Sequence, residues 1–305
     1  MNTLSVKLSL VVPCYNEEDN VENFFRHVKE GLRSYTDSYE IVFVNDGSRD
    51  ETEKKLKKLF KDNNDTKITV VSFSRNFGKE AAMYAGLSNA NGDYVTIIDA
   101  DLQQDVKYVV EMAEILDKDE DVFMVAAFQE KRKEGKLITL CKENFYKLLN
   151  KITDVPFVEN ASDFRMMRRC VVESILSLTE YHRFSKGIFS WVGYNTVSIP
   201  YEVKEREAGE TKWNFRKLLK YAFEGIMAYT DMPLKLPFYL AALSFVLGFI
   251  MLFAYSVVSG LVLFIGAAIL FSVGVLGSYV GKIHTQVKDR PIYIAKEILS
   301  YDKHD

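Results

Sequence analysis

Four short apolar runs rich in β-branched residues, at 8–13, 40–45, 67–73 and 93–99, alternate with stretches whose apolar positions recur every three or four residues. Runs of the first kind suit strands buried on both faces, and the second kind suits helices with one buried face. Within 18–33 the periodic positions are Val21, Phe24, Phe25, Val28 and Leu32, and 52–60 and 79–90 carry the same helical spacing. A further strand is predicted over 121–128 and a helix over 141–151. This alternation predicts an α/β domain built on a mostly parallel sheet. Ligands of such sheets gather at the carboxyl ends of the strands. Three polar clusters fall there: Pro13 to Glu17 after the first strand, Asp46 to Ser48 after the second, and Asp99-Ala100-Asp101 after the fourth.

The pattern changes in the last third of the chain. From 236 to 281 no Asp, Glu, Lys, Arg or His occurs, a run of 46 residues. As helix it would extend ~69 Å, about twice the thickness of a bilayer's hydrocarbon core. With Ser259-Gly260 near its middle, it predicts two membrane spans, about 236–258 and 261–280, joined as a hairpin. Basic residues flank both ends, Lys212 to Lys235 before and Lys282 to Lys296 after, while the turn has none. The positive-inside rule then puts both termini in the cytoplasm. Residues 214–235 carry apolar positions on one face and read as an interfacial helix. The expected organisation is a catalytic domain over 1–213, this juxtamembrane helix, the hairpin over 236–281 and a cytoplasmic tail over 282–305.

Composition adds little to that. A formal net charge of −3 gives no reason to expect a nucleic-acid partner. The three cysteines, Cys14, Cys141 and Cys170, form no CxxC pair and fit a reducing compartment. The first residues lack the pattern of a signal peptide. The hairpin is a candidate surface for homo-oligomer contacts, with no packing code that fixes a number of copies.

Candidate chemistry centres on Asp99 and Asp101. Two carboxylates at a strand end can hold a hard divalent cation, which also binds diphosphate oxygens. The same pair also suits a plain turn or helix cap. The pieces VVPCYNEEDN (11–20), VNDGSRDET (44–52), SFSRNFGKEAA (72–82), IIDADLQ (97–103), ASDFRMM (161–167), RFSKGIFSWVGY (183–194) and REAGETKW (206–213) decide between these readings. In this order they resemble the family 2 inverting glycosyltransferases of GT-A fold. They resemble most closely the polyprenyl-phosphate monosaccharide transferases, such as dolichol-phosphate mannose synthases and bacterial undecaprenyl-phosphate glucosyltransferases. The two-span C-terminus is similar to the bacterial subgroup.

The resemblance implies a nucleoside pocket of Pro13, Tyr15, Glu17, Val44 and Asp46. It implies a diphosphate region of Lys79, Asp99, Ala100 and Gln103, with Asp99 and Asp101 holding Mg²⁺ or Mn²⁺. Asp163 matches the position often assigned as catalytic base. A lipid phosphate, with a second pKa near ~6, is already ionised at neutral pH, so Asp163 equally suits orienting a sugar hydroxyl. Arg206 and Lys212 match a loop that closes over phosphates, and Arg183 and Lys186 suit recruitment of an anionic lipid head. The implied reaction moves one sugar from a nucleotide sugar, with a UDP-sugar favoured, to polyprenyl phosphate at the cytoplasmic membrane face.

Two features depart from the family. Gln103-Gln104-Asp105-Val106 lacks the usual proline turn, and 127–133 reads AFQEKRK where relatives place arginines. The second departure leaves open a catalytically degenerate membrane scaffold. A processive polysaccharide synthase is the other alternative, although its QxxRW motif is missing.

Overall fold

The computed structural model describes residues 7–129, 161–202, 237, 239–244 and 258–301. Its first half is β1 (Leu8–Cys14), α1 (Val21–Gly31), β2 (Tyr39–Asn45), α2 (Thr52–Asp62), β3 (Lys67–Phe73), α3 (Lys79–Asn89) and β4 (Tyr94–Ile97). The four strands are parallel and stand in the order β4-β1-β2-β3. Helices cover both faces, so alternate residues along each strand enter two different cores. In β1, Leu8, Leu10 and Val12 face Phe24, Phe43 and Met112, while Val11 faces Ala82, Met83 and Val44. These strands are near-continuous apolar runs because neither face meets water.

The sheet then widens through α4 (Val106–Lys118), β5 (Met124–Gln129), β6 (Ala161–Arg168), α5 (Arg169–Ser177), α6 (Ser185–Trp191) and β7 (Thr196–Tyr201). The full order is β7-β5-β6-β4-β1-β2-β3-β8, with β6 antiparallel to β4 and β5. Sequence periodicity identified β1, β2, β3, β4 and β5, and helices α1, α2 and α3. It did not identify α4, α5, α6, β6 or β7. The predicted helix over 141–151 and the interfacial helix over 214–235 lie outside the described residues.

Two packing details place the site. Ala81, Ala82, Ala85 and Gly86 let α3 lie close against β1, and a Cβ at Gly86 would come within 2.2 Å of Val11 Cγ1. The N-terminus of α3, with Lys79, is thereby brought against the crevice between β1 and β4, where strand order reverses. On the other side, β6 pairs Arg165 with Ile97. Extending that register two residues brings Asp163 level with Asp99. Pro13, which has no N–H to give, lies two residues beyond Val11, the last residue of β1 paired with β4.

The C-terminal region differs from its prediction in two ways. The expected turn at Ser259-Gly260 is not there, since both residues lie within the helix α7 (Val258–Val287). In an apolar setting a helix satisfies its own backbone, so small residues do not force a turn. Also, α7 continues past the end of the charge-free run, through Lys282 and His284. Among the described residues one helix, rather than a hairpin of two, is long and apolar enough to cross a membrane, over Phe264–Val287. Much of the first expected span, including 245–257, lies outside the described residues. The apolar flank of α7 is uncovered by protein, with Leu270 74% exposed, as suits contact with lipid.

After α7 the chain does not run off as a tail. Residues 295–300 form β8 (Ala295–Ser300), antiparallel on β3. Tyr293 stacks on Phe73 with centroids 4.8 Å apart, and Lys57 pairs with Glu297 at 2.6 Å. This strand is short, charged and at an edge, so it lacks the apolar run that marks the inner strands.

Candidate active site

The loops after β1 and β2 are laced together before they meet any ligand. Asn16, in the left-handed region at φ 54°, donates its N–H to Ser48 Oγ (3.0 Å), and its side chain accepts from Arg49 N (3.0 Å). Glu17 N donates to Thr52 Oγ1 (2.9 Å), and the Glu17 carboxylate accepts from Asn20 Nδ2 (2.7 Å). Pro13, Tyr15, Glu17 and Val44 therefore stand on one braced edge. Val44 itself is a buried strand residue, and Tyr15 is half-buried.

Asp46 braces the neighbouring loop as well. Its carboxylate accepts from Phe77 N (2.6 Å), Gly78 N (3.0 Å) and Asn76 Nδ2 (2.9 Å), which holds the loop entering α3 against the end of β2. Gly78 sits at φ 98°, a conformation that favours glycine, and leads directly into Lys79. Burial pushes the Asp46 carboxyl up to about 6, against the two backbone N–H groups and Arg75, which pull it down. The folded state thus keeps a proton that the unfolded chain releases near 3.8. This contribution to stability is complete below that value and is lost as pH rises through about 6, a change of about 3 kcal/mol. Asp46→Asn should remove that slope. Thermal midpoints of both proteins between pH 4 and 7.5 would show it, and parallel curves would refute the assignment.

The chemical centre is a chain of alternating charges. Lys79 Nζ lies 2.8 Å from Asp99 Oδ1 and 3.0 Å from Asp163 Oδ2, bridging the ends of β4 and β6. Burial acts to lower Lys79, but the two carboxylates outweigh it and hold its ammonium above the ordinary lysine value. Burial likewise opposes ionisation of Asp163, yet Lys79, Lys186 and Arg165 hold it below the usual carboxylate range. Asp163 Oδ1 is sealed from solvent and has no hydrogen-bond partner among the described residues.

Asp99 is steadied from the acidic turn itself. Gln104, almost fully buried, accepts from Asp99 N (2.9 Å) and directs its amide toward Asp99 Oδ2 (3.4 Å). Asp101 Oδ1 accepts from Gln103 N (3.2 Å). Between them Leu102 adopts φ 59°, a left-handed conformation that a bulky residue holds only when its surroundings enforce it. Ala100 is buried under this turn.

This donor set fits a hard divalent cation held jointly with substrate. Among the described residues no cluster of three or more metal-ligating side chains exists. Asp99 and Asp101 supply carboxylate oxygens only. Mg²⁺ and similar ions take one or two carboxylates and complete their shell with phosphate oxygens and water.

Several polar and cationic side chains near the site are engaged within the protein. Arg183 donates to Leu178 O (2.6 Å) and Ile175 O (3.3 Å) and packs on the Tyr84 ring at 4.6 Å, so it caps α5. Arg75 lies over the Phe77 ring, 4.0 Å from its centroid. Gln129, where family arginines were expected, donates to the Tyr201 hydroxyl (3.1 Å). Arg206, Lys212 and residues 130–133 lie outside the described residues. Sequence reasoning missed Gln104 and Glu80. The signal for Glu80 is that an acid immediately beside a pocket lysine, at a helix start, is positioned to reach a different element.

Residues 9–176 match the family described as Glycosyl transferase family 2. The SfII prophage-derived bactoprenol glucosyl transferase of Shigella flexneri is 40% identical over 96% of this chain and 98% of its own. An uncharacterized glycosyltransferase of Synechocystis is 36% identical over 97% of this chain and 96% of its own. Among solved structures, the mannosyltransferase of Pyrobaculum calidifontis in complex with GDP-Man and Mn²⁺ superposes with TM-score 0.51. That match has 17% identity and covers 89% of this chain and 88% of that one. The α/β fold is thus of the GT-A type, with a mixed, mostly parallel sheet.

Proposed function

The chain belongs to glycosyl transferase family 2, and from that premise we propose that it moves one glucosyl unit from a UDP-sugar to polyprenyl (undecaprenyl) phosphate at the cytoplasmic membrane face. The observation that carries the acceptor is near-full-length identity, 39–40%, with proteins named bactoprenol glucosyl transferases, because it runs through the site and the apolar C-terminus alike. The membrane helix supports the same reading. After α7, β8 returns to the catalytic sheet beside β3. The C-terminal end of α7 therefore lies on the same side of a bilayer as the catalytic sheet, and a crossing by α7 requires an earlier crossing to bring the chain to the far side. The apolar run beginning at 236 supplies the residues for that crossing.

The residues suggest how transfer proceeds. An oxygen of the lipid phosphate attacks the anomeric carbon opposite the nucleoside diphosphate. The bond to the diphosphate oxygen breaks, and the product is an inverted sugar phosphodiester. Asp99 and Asp101 would hold Mg²⁺ or Mn²⁺, which when bound balances charge on the departing diphosphate. Lys79 ties Asp99 to Asp163 and adds positive charge between donor and acceptor sides. Asp163, held below the usual range, is a weak base at neutral pH, so its Oδ1, unpartnered among the described residues, orients a sugar hydroxyl instead. The phosphate needs no base, being already ionised.

Purified full-length protein in detergent, given undecaprenyl phosphate and radiolabelled UDP-glucose, UDP-N-acetylglucosamine or GDP-mannose, tests this reading. UDP-glucose should yield one lipid-linked sugar. Addition of EDTA should abolish product, and Mg²⁺ or Mn²⁺ should restore it. A polymer would favour a processive synthase, and no product from any donor would favour a scaffold.

A further inference from the structure

Three cations act on Asp163, and two of them are committed. Lys79 bridges two carboxylates. Arg165 donates to Ser162 O (2.7 Å) and stacks on the Phe189 ring, 3.7 Å from its centroid. Lys186 is the exception: among the described residues its ammonium makes no hydrogen bond or ion pair, although the residue is half-buried and Asp163 is the largest charge acting on it. Burial pulls its ammonium below the ordinary lysine value, the signature of a charge withdrawn from water without adequate compensation.

The segment bearing Lys186 is held at three points. Glu80, on α3 next to Lys79, accepts from Ser185 N (3.0 Å) and from the Ser185 hydroxyl. Burial, reinforced by the charge of Asp163, pushes Glu80 up to about 7, against the two Ser185 donors, which pull it down. Phe189 docks α6 on β6 through Arg165. The loop before α6 is gripped by the membrane helix: Gln286 Oε1 accepts from Tyr181 N (2.9 Å), and Gln286 Nε2 donates to Thr179 O (3.1 Å). Lys186 is thus five residues from the docking point of α7, on the side of the pocket that a lipid headgroup would enter.

We propose that Lys186 binds the phosphate of the lipid acceptor, and that Glu80, through Ser185, is the positioning residue that keeps it within the field of Asp163. This deepens the proposed function and rests on a lipid phosphate being the acceptor. The site then has two cationic subsites separated by Asp163. A divalent cation held by Asp99 and Asp101 would serve the donor diphosphate, and Lys186 serves the acceptor.

The test uses full-length protein and Lys186→Met in detergent. With undecaprenyl phosphate varied, the acceptor KM should rise at least tenfold. With UDP-glucose varied, the donor KM should stay within twofold. Lys186→Arg should recover most of the loss, and Ser185→Ala should raise the acceptor KM in the same direction. An unchanged acceptor KM, or a donor KM that rises equally, overturns the proposal. A second measurement does not depend on turnover. Titration of farnesyl phosphate into UDP-saturated protein should show at least tenfold weaker binding by Lys186→Met, with UDP affinity unchanged. Inorganic phosphate in place of farnesyl phosphate distinguishes a lipid headgroup from a free anion. If the wild-type protein transfers no sugar yet binds farnesyl phosphate through Lys186, the reaction assignment fails and the subsite stands. Equal binding by both proteins removes the subsite. Should Lys186→Met fail to bind UDP, Ser185→Ala decides.

Discussion

Asp163→Asn is expected to lower kcat about 100-fold or more while leaving the donor KM within a few-fold. The carboxylate has two separate connections. Oδ2 keeps Lys79 in place at 3.0 Å, and Oδ1, without a partner among the described residues, is the acceptor left for substrate. Asparagine keeps the shape but loses the charge that balances Lys79, Lys186 and Arg165. It also places an amide where an acceptor is needed. Misplacing a reacting sugar by about 1 Å is worth roughly 100-fold in rate, which sets the scale of the loss. The mechanism has a finer consequence. If Oδ1 orients a sugar hydroxyl, one deoxyglucose donor should react equally poorly with wild-type protein and Asp163→Asn. Initial rates with UDP-glucose and a series of UDP-deoxyglucoses give the comparison. Retention of activity within about threefold by Asp163→Asn would refute the role altogether.

Lys79→Met is the second large effect, and it acts on both stability and activity. Removing the lysine leaves Asp99 and Asp163 facing each other without the cation that lies between them. Breaking a fully buried pair costs about 3–5 kcal/mol. Here the Lys79 side chain remains 41% exposed, so solvent screening reduces the expected loss to about 1–2 kcal/mol. Two close carboxylates without a cation resist double ionisation, which raises the pKa of the pair. Residual activity should therefore be very low near neutral pH and recover partly as pH rises, the opposite of what loss of a general acid would produce. A thermal midpoint and a pH profile of kcat/KM for Lys79→Met would check both parts. An unchanged midpoint together with wild-type rates would remove Lys79 from the centre of the site.

Both effects concern contacts that no local sequence pattern encodes. Lys79, Asp99 and Asp163 belong to α3, to the turn after β4 and to β6, and they meet only because Ala81, Ala82 and Gly86 let α3 lie close to β1. The pairing of β6 with β4 does the rest. The motif around Asp163 was legible as a resemblance, but its being a strand was not, since Ala161–Arg168 mixes polar and apolar residues with two methionines. Asp46 shows the converse. Its place after a strand was readable from the chain, yet its partners Asn76, Phe77 and Gly78 come from another loop and give it a bracing role.

What the amino-acid order determined by itself was the alternation of buried strands and one-faced helices, and with it the parallel sheet and the edge where Asp99 and Asp101 lie. Period and apolar content are local properties, so they survive without a fold. It also determined that the C-terminal third is apolar enough for a membrane, because length and charge are sufficient for that inference. The tertiary structure decided which charges are matched and which are left over. Gln104 steadies Asp99, Arg183 is taken by helix ends, Lys79 is shared between two carboxylates, and Lys186 is left within the field of Asp163. It also decided that the last strand returns to β3 and that Gln286 ties the membrane helix to the loop before α6. These depend on distances between residues far apart in the chain, and burial makes each such distance electrostatically consequential.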